Sequence, residues 1–485
     1  MGIWSRKSVD AMRLEAGASG AHLHRSLGVV SLTAFGVGST IGAGIFVLTG
    51  GEAAHHAGPA VTYAFILASL ACFFAGLCYA EFAAMVPIAG SAYSYAYATM
   101  GELPAWIIGW CISLEYVFSA GLVAIVWSGY AQSALGDLGI HIPALLAAAP
   151  FSWDNDHVVM TGTLVDLPAV LVTLGCTLLL VFSTRHSATL NTIIVSAKVA
   201  AIVIIIVVGA HYVDPANWHP FVPPNTGSFG SFGWTGVAAA AGVVFFSYIG
   251  FDGISTLAEE CHHPQRTIPL SLFAALAICT TLYVGVSLVI TGLTHYSGLD
   301  VPDPIYFALS TVQADLGWLK FLVAVVAVFG LISVILFSLL GQVRILYAMG
   351  RDGLMPAAFT RTSARFKTPY VGTLWTGALA AATAGFTPLD ILSMLISIGT
   401  LLAFAMVCAG VLVLRRTAPD AHRPFRTPWV PLVPVLGILC CLGLMYSLPL
   451  PTWKRLMYWL AIGLVVYFAY GRRHSRLARS LSTAS

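Results

Sequence analysis

The sequence predicts an all-α polytopic membrane protein of about twelve transmembrane helices. Charged residues fill 9% of its 485 positions and hydrophobic ones 58%, whereas an ordinary soluble domain carries about 25% charge. So few charges cannot cover a water-soluble globule of this length, which excludes a soluble enzyme. The same apolar richness excludes a disordered chain. The apolar runs are about 20 residues long and do not alternate polar with apolar, which favours helices over a membrane β-barrel.

Helices are expected to begin near Val29, Ala60, Leu103, Leu167, Asn191, Trp234, Pro269, Gly317, Tyr370, Leu389, Val430 and Thr452. The third and eighth look long. The first 28 residues are polar and contain Arg6, Lys7, Arg13 and Arg25. No cleavable signal is visible, so the first apolar stretch reads as a retained span. The expected organisation is a tail over 1–28, a five-helix unit over 29–215, a second with its loops over 216–427, helices eleven and twelve over 428–471, and a tail over 472–485.

Lys and Arg set the orientation. With the N-terminus in the cytoplasm, 19 of the 23 fall on the inner side, against Lys320, Lys454 and Arg455 outside and Lys198 within a span. Both termini are therefore expected in the cytoplasm. The loops over 134–165 and 293–316 contain Asp but no Lys or Arg, as suits the outer face.

Two spans do not read as plain helices. The first contains Gly36-Val37-Gly38-Ser39-Thr40-Ile41-Gly42-Ala43-Gly44, and the sixth contains Ser247-Tyr248-Ile249-Gly250-Phe251-Asp252-Gly253. Glycine costs about 1 kcal/mol in a helix interior relative to alanine. Clusters of it near mid-span make local unwinding the expectation, with Gly250, Asp252 and Gly253 shaping the second break. An unwound segment frees N–H groups on one half-helix and carbonyls on the other, which carry opposite partial charges. That pairing suits a zwitterion. For one such span alone, close packing of small residues is the favoured reading. Two of them, in the first and sixth places of a five-plus-five arrangement, point to a transporter binding site.

Ionisable residues inside spans are costly and usually functional. Lys198 is expected to face carbonyls or a carboxylate. Desolvation works against its ammonium form, so it is a candidate to load and release a proton. Snorkelling to an interface is the plainer alternative. Glu115 reads either as a pocket residue or as an acid bonded to a neighbouring helix. Glu81 and the Glu259-Glu260 pair are candidates for ion pairs with Arg185, Arg266 or Arg344. The pairs His55-His56 and His262-His263 lack completing ligands, so no metal site is expected. The nine cysteines read as small buried hydrophobes. No ATP-binding or hydrolase motif occurs, and no nucleic-acid partner is indicated.

Several segments together resemble the amino acid permeases of the amino acid–polyamine–organocation superfamily, in particular the cationic amino acid transporter branch and its bacterial members. They are Gly36–Gly50 (GVGSTIGAGIFVLTG), Ala89–Tyr97 (AGSAYSYAY), Ser113–Tyr116 (SLEY), Phe245–Pro269 (FFSYIGFDGISTLAEECHHPQRTIP) and Gly341–Pro356 (GQVRILYAMGRDGLMP). The resemblance implies a LeuT-like five-plus-five inverted repeat with two further helices, and alternating access in a plasma (bacterial inner) membrane. It implies a substrate seat made by Thr40, Ile41, Gly42, Ala43 and Gly44 with Phe246, Ser247 and Ile249. The carboxylate would lie on the N–H groups around Gly42 to Gly44, and the amine on carbonyls near Thr40, Phe246, Ser247 and Ile249. It further implies that Lys198 replaces a sodium site and meets the carbonyls of Gly36, Val37 and Gly38, so that protons couple transport and no cofactor is needed. Gly330-Leu331-Ile332-Ser333 offers no anion, and Leu331 would narrow the pocket. With Glu115 as the nearest acid, small to medium neutral L-amino acids are the expected substrates, with cationic ones also open. An exchanger, or a membrane amino acid sensor, stays as an alternative, and a small membrane accessory subunit stays open.

Overall fold

The computed structural model describes residues 4–7, 27–85, 90–154, 157–182, 188–261, 263–312, 316–363 and 368–483. The main helices are α1 (Val29–Thr40), α2 (Val61–Met85), α3 (Ser91–Thr99), α4 (Glu102–Asp137), α5 (Leu167–Phe182), α6 (Ala188–Ala210), α7 (Gly233–Val244), α8 (Pro264–Leu293), α9 (Pro304–Ser310), α10 (Gly317–Arg351), α11 (Tyr370–Phe386), α12 (Leu389–Thr417), α13 (Leu432–Ser447), α14 (Leu450–Val466) and α15 (Arg476–Thr483). Among the described residues, seven helical stretches are long and apolar enough to cross a membrane. α1 and α5 are shorter apolar helices, and α13 meets the following helix at a bend of 114°. The chain is a multi-pass, mostly helical membrane protein.

Every expected start lies within five residues of an observed one. The largest displacement is at α8, which begins at Pro264 rather than Pro269. Pro264 takes the first helical position, where its missing N–H is not needed, and Pro269 is carried inside the helix. α6 begins before Asn191, at Ala188. That puts Lys198 near the middle of the helix rather than toward one end.

The loop between α4 and α5 departs from an all-α reading. Strands β1 (Phe151–Asp154) and β2 (His157–Met160) pair antiparallel there, with Phe151 opposite Met160. Both runs hold aromatic or β-branched residues, which fit a pleated strand.

α4 spans 36 residues and α10 spans 35, lengths of about 50 Å at 1.5 Å per residue. They pack side by side, and Trp127 Nε1 donates to the Val328 carbonyl at 2.9 Å. They run antiparallel, because the start of α4 and the end of α10 meet at one face. There Glu102 accepts from Tyr97 and Tyr467, while Asp352, just past α10, accepts from Lys7 Nζ at 2.8 Å. At the opposite face Tyr306 of α9 donates to Asp137, and His55 Nε2 lies 3.0 Å from Asp300. His56 Nδ1 is 2.7 Å from the Gly230 carbonyl.

Glu81 is fully buried at the end of α2, and among the described residues it pairs with two arginines outside the expected set. Arg415 Nη2 lies 2.9 Å from one carboxylate oxygen and Arg423 Nε 3.2 Å from the other. The Thr427 N–H also donates to it at 2.8 Å. Arg423 further caps the end of α12 through the carbonyls of Leu414 and Ala418. A buried carboxylate needs this many donors to offset its lost hydration. Arg185 and His262 lie outside the described residues, as do the side chains of Glu259 and Glu260. Eight of the nine cysteines are buried, and Cys440 is half-buried.

Candidate functional site

Both Gly-rich spans are interrupted, and the interruptions touch. α1 ends at Thr40, and Ile41 then takes an extended conformation (φ −73°, ψ 94°). Helix resumes as wide π-type turns over Gly44–Leu48. α7 passes into a tight 3-10 stretch over Phe245–Tyr248, Ile249 is extended (φ −62°, ψ 135°), and a second 3-10 stretch covers Phe251–Glu260. Gly250 holds φ at +113°, a region that an L side chain rarely adopts. Its missing side chain also admits the Ser39 backbone, since a Cβ there would lie 2.9 Å from the Ser39 carbonyl oxygen. Gly44 is needed for approach rather than for its angle. A Cβ on Gly44 would sit 2.5 Å from the Ser247 Cα, so the two backbones are in contact.

Hydrogen bonds knit the breaks together. Ser39 Oγ lies within bonding distance of the Gly36 carbonyl (2.9 Å) in its own helix and the Gly250 carbonyl (3.1 Å) across the gap. The Asp252 carboxylate lies among the backbone N–H groups of Gly250, Asp252 and Gly253. The Tyr283 hydroxyl, from α8, lies 2.9 Å from the Thr40 carbonyl and 2.6 Å from the Ser247 carbonyl. These are two of the carbonyls expected to meet an amine. A third, that of Phe246, accepts the Ile249 N–H at 3.0 Å. The hydroxyls of Thr40 and Ser247 are buried without a partner among the described residues.

Lys198 is 2% exposed and does not snorkel. Its Nζ donates to the carbonyls of Ile41 at 3.0 Å and Gly38 at 3.2 Å, and lies 3.4 Å from Ser333 Oγ. Gly38 was expected. Gly36 and Val37 are engaged elsewhere, because the Gly36 carbonyl faces Ser39 Oγ and the Val37 carbonyl accepts the Ile41 N–H at 2.9 Å. The reason is geometric: the break itself frees the Ile41 carbonyl, while carbonyls a turn earlier are still used by the helix. Gly330 of α10 makes room for the lysine stem, as a Cβ there would lie 2.8 Å from Lys198 Cε. One ammonium therefore joins α6, the broken end of α1, and α10.

Glu115 is 1% exposed and accepts from Thr400 Oγ1 of α12 at 2.8 Å. Its other oxygen has no partner among the described residues. Asp252 is its electrostatic neighbour. Tyr79 feels both acids and packs its ring on Phe404 and Phe251. Glu115 thus ties α4 to α12, and no hydrogen bond joins it to either break among the described residues. On α10, Leu331 is fully buried, but Val334 is the side chain that meets the first break. A Cβ on Gly42 would lie 3.2 Å from Val334 Cγ1.

Sequence reasoning missed Tyr283 and Val334, and it named Ser333 without its approach to Lys198. Only Tyr283 carried a readable signal, a hydroxyl in the middle of an apolar helix. Chemically, the assembled site offers two backbone gaps in contact, a lysine on freed carbonyls, and a phenol bridging the two segments.

Comparison with known proteins bears on this arrangement. The chain is 45% identical to the methylthioribose transporter of Bacillus subtilis over 96% of its own length and 97% of that protein. It is 42% identical to the branched-chain amino acid permease BcaP of the same organism, over 98% and 99%. It is 39% identical to the vacuolar cationic amino acid transporter 4 of Arabidopsis thaliana, over 86% and 67%. Residues 27–467 match the model of the amino acid permease family. The interrupted helices and this near-complete match agree, and the chain belongs to the amino acid permease family, whose members are membrane transporters rather than enzymes.

Proposed function

We propose that this permease carries small to medium neutral L-amino acids by proton-coupled symport. The observation that supports the reading is the lysine at the first break. A carbonyl pair with a hydroxyl nearby is the kind of oxygen set that would hold a metal cation. Here the Lys198 ammonium supplies the positive charge from within the protein. Loading or removing one proton changes the attraction between α6, α1 and α10, which biases the bundle toward one side or the other. Sodium has no role in this cycle.

The seat is the pair of breaks. The N–H groups that open the outer half-helix after Ile41 take the carboxylate, by the partial charge of a helix start. The amine takes carbonyls at the two gaps, sharing those of Thr40 and Ser247 with Tyr283. Val334 and Leu331 make the side-chain wall apolar, which favours alanine- to leucine-sized substrates over arginine. The name of the branched-chain relative fits this pocket. The methylthioribose relative is, by its name, a transporter of a different solute.

The paired breaks in the first and sixth places support a twelve-span, five-plus-five arrangement with alternating access. The excess of Lys and Arg on one side supports cytoplasmic termini, and the likeness to bacterial permeases supports a plasma membrane.

Reconstituted liposomes test the proposal. An inward proton gradient should drive uptake of labelled leucine or alanine into vesicles containing no amino acid. Uptake that needs internal amino acid and ignores the gradient would make the protein an exchanger. Arginine or methylthioribose taken up far ahead of alanine and leucine would overturn the pocket reading.

A further inference from the structure

We propose that the two ends of the chain jointly form a binding site for the headgroups of anionic phospholipids. The ends meet on Asp352 and Glu102. The Lys7 N–H donates to the Tyr97 carbonyl at 3.2 Å, and Lys7 Nζ donates to Asp352 Oδ1 at 2.8 Å. Trp4 lies against Gly101, where a Cβ would sit 2.7 Å from the Trp4 backbone. From the other end, the Arg476 N–H donates to the Asp352 carbonyl at 3.0 Å, and Ser475 Oγ donates to Glu102.

Both carboxylates are already engaged. Asp352 holds Lys7 and the Tyr93 hydroxyl, and Glu102 holds Tyr97, Tyr467 and Ser475. What faces outward is cationic: Arg6, Arg472, Arg473 and Arg476 are exposed. No Asp or Glu occurs in the 65 residues after Asp420. The C-terminal part of this platform therefore carries no acid of its own to neutralise its arginines.

Position and chemistry identify the occupant. Arg472 follows α14 by five residues of helical turns over Tyr467–Gly471, which puts the platform at the edge of the bilayer. Trp4 is 63% exposed beside it, and tryptophan favours the headgroup level of a membrane. Guanidinium groups bind phosphate through paired N–H donors. The attraction of an anionic leaflet decays within a Debye length, so only cations held this close to the lipid gain from it.

Native mass spectrometry of the full-length protein tests the site. Wild-type protein should retain phosphatidylglycerol and release phosphatidylcholine. Arg472→Gln/Arg473→Gln/Arg476→Gln should lower phosphatidylglycerol retention more than tenfold, since each arginine near an anionic surface contributes about a fivefold factor. Trp4→Ala/Arg6→Gln should give a smaller loss. Lys454→Gln/Arg455→Gln, at the other face, should give none. An unchanged elution volume shows that each variant is folded. Equal retention of the two lipids, or full retention by the triple variant, would overturn the proposal. So would loss in the Lys454/Arg455 variant, or displacement by soluble glycerol phosphate at equal concentration, which marks a site for free phosphate.

Discussion

Tyr283 and Ser247 sit 36 positions apart, yet a 2.6 Å hydrogen bond joins the hydroxyl of one to the carbonyl of the other. The same hydroxyl is 2.9 Å from the Thr40 carbonyl. A phenol has one proton, so it serves two acceptors only by sharing or alternating. Tyr283 therefore reports on how close the two breaks are. Tyr283→Phe keeps the ring and leaves both carbonyls without this donor. It should destabilise the purified protein by about 1–3 kcal/mol, the cost of a buried unpaired acceptor. Thermal unfolding would show this, and an unchanged midpoint would mean water replaces the hydroxyl at no cost.

Lys198→Ala removes the charge that joins α6, α1 and α10. Uptake driven by a pH gradient should disappear, while exchange of internal for external substrate continues. Counterflow measured beside gradient-driven uptake separates the two. Retained gradient-driven uptake would take proton coupling away from Lys198.

Gly44→Ala puts a methyl group against the Ser247 backbone, where no flexible side chain can yield. Substrate affinity should fall more than tenfold, read by equilibrium binding on protein that still elutes as a monodisperse species. Gly136→Ala, where the added Cβ meets nothing within 4 Å, is the control and should bind as wild type.

Glu81→Ala strands two guanidinium groups beside a buried gap. Removing one member of a buried ion pair costs about 3–5 kcal/mol, so this variant should unfold or lose most of its stability. Arg415→Ala should cost less, because Arg415 is the more exposed partner at 25% against 1% for Arg423. Denaturation of Glu81→Ala, Arg423→Ala and Arg415→Ala ranks them, and an Arg415→Ala loss larger than that of Arg423→Ala would show that burial of Arg423 does not set the cost.

Asp166 precedes α5, accepts from Ser128 Oγ at 2.6 Å and caps the Ala169 N–H. Burial pushes its carboxyl up from 3.8 to about 6, against the lowering effect of those two donors. The folded protein thus binds this proton more tightly than the unfolded chain. Its stabilising effect is full below the unfolded value near 4 and is lost as pH rises through about 6. Thermal stability should therefore fall between pH 4 and about 6.5, and Asp166→Asn should flatten that part of the profile. A wild-type profile that already lacks the fall would show that Asp166 is not desolvated.

The helix starts were legible because long apolar runs leave few places for a helix to begin. The breaks were legible because glycine clusters are costly inside a helix. Other features depend on phase or on distant pairing. Val334 rather than Leu331 faces Gly42, a rotation of α10 that composition does not fix. Glu81 meets Arg415 334 positions away, and hydropathy says nothing about which loop folds over which helix end. Lys198 was readable as buried, but its acceptor at Ile41 depended on where α1 stops. Tyr283 showed a hydroxyl inside an apolar helix, but not that it meets the carbonyls of two other segments.

The lengths of α4 and α10 carry a practical consequence. A hydrocarbon layer takes up about 30 Å, so two rods of about 50 Å keep some length beyond it even at a tilt of about 40°. Those overhangs are stiff posts already anchored to the rest of the molecule. A rigid fusion partner or an antibody epitope built onto one of them would hold its orientation, giving a small carrier an external landmark for image alignment while leaving its interior untouched.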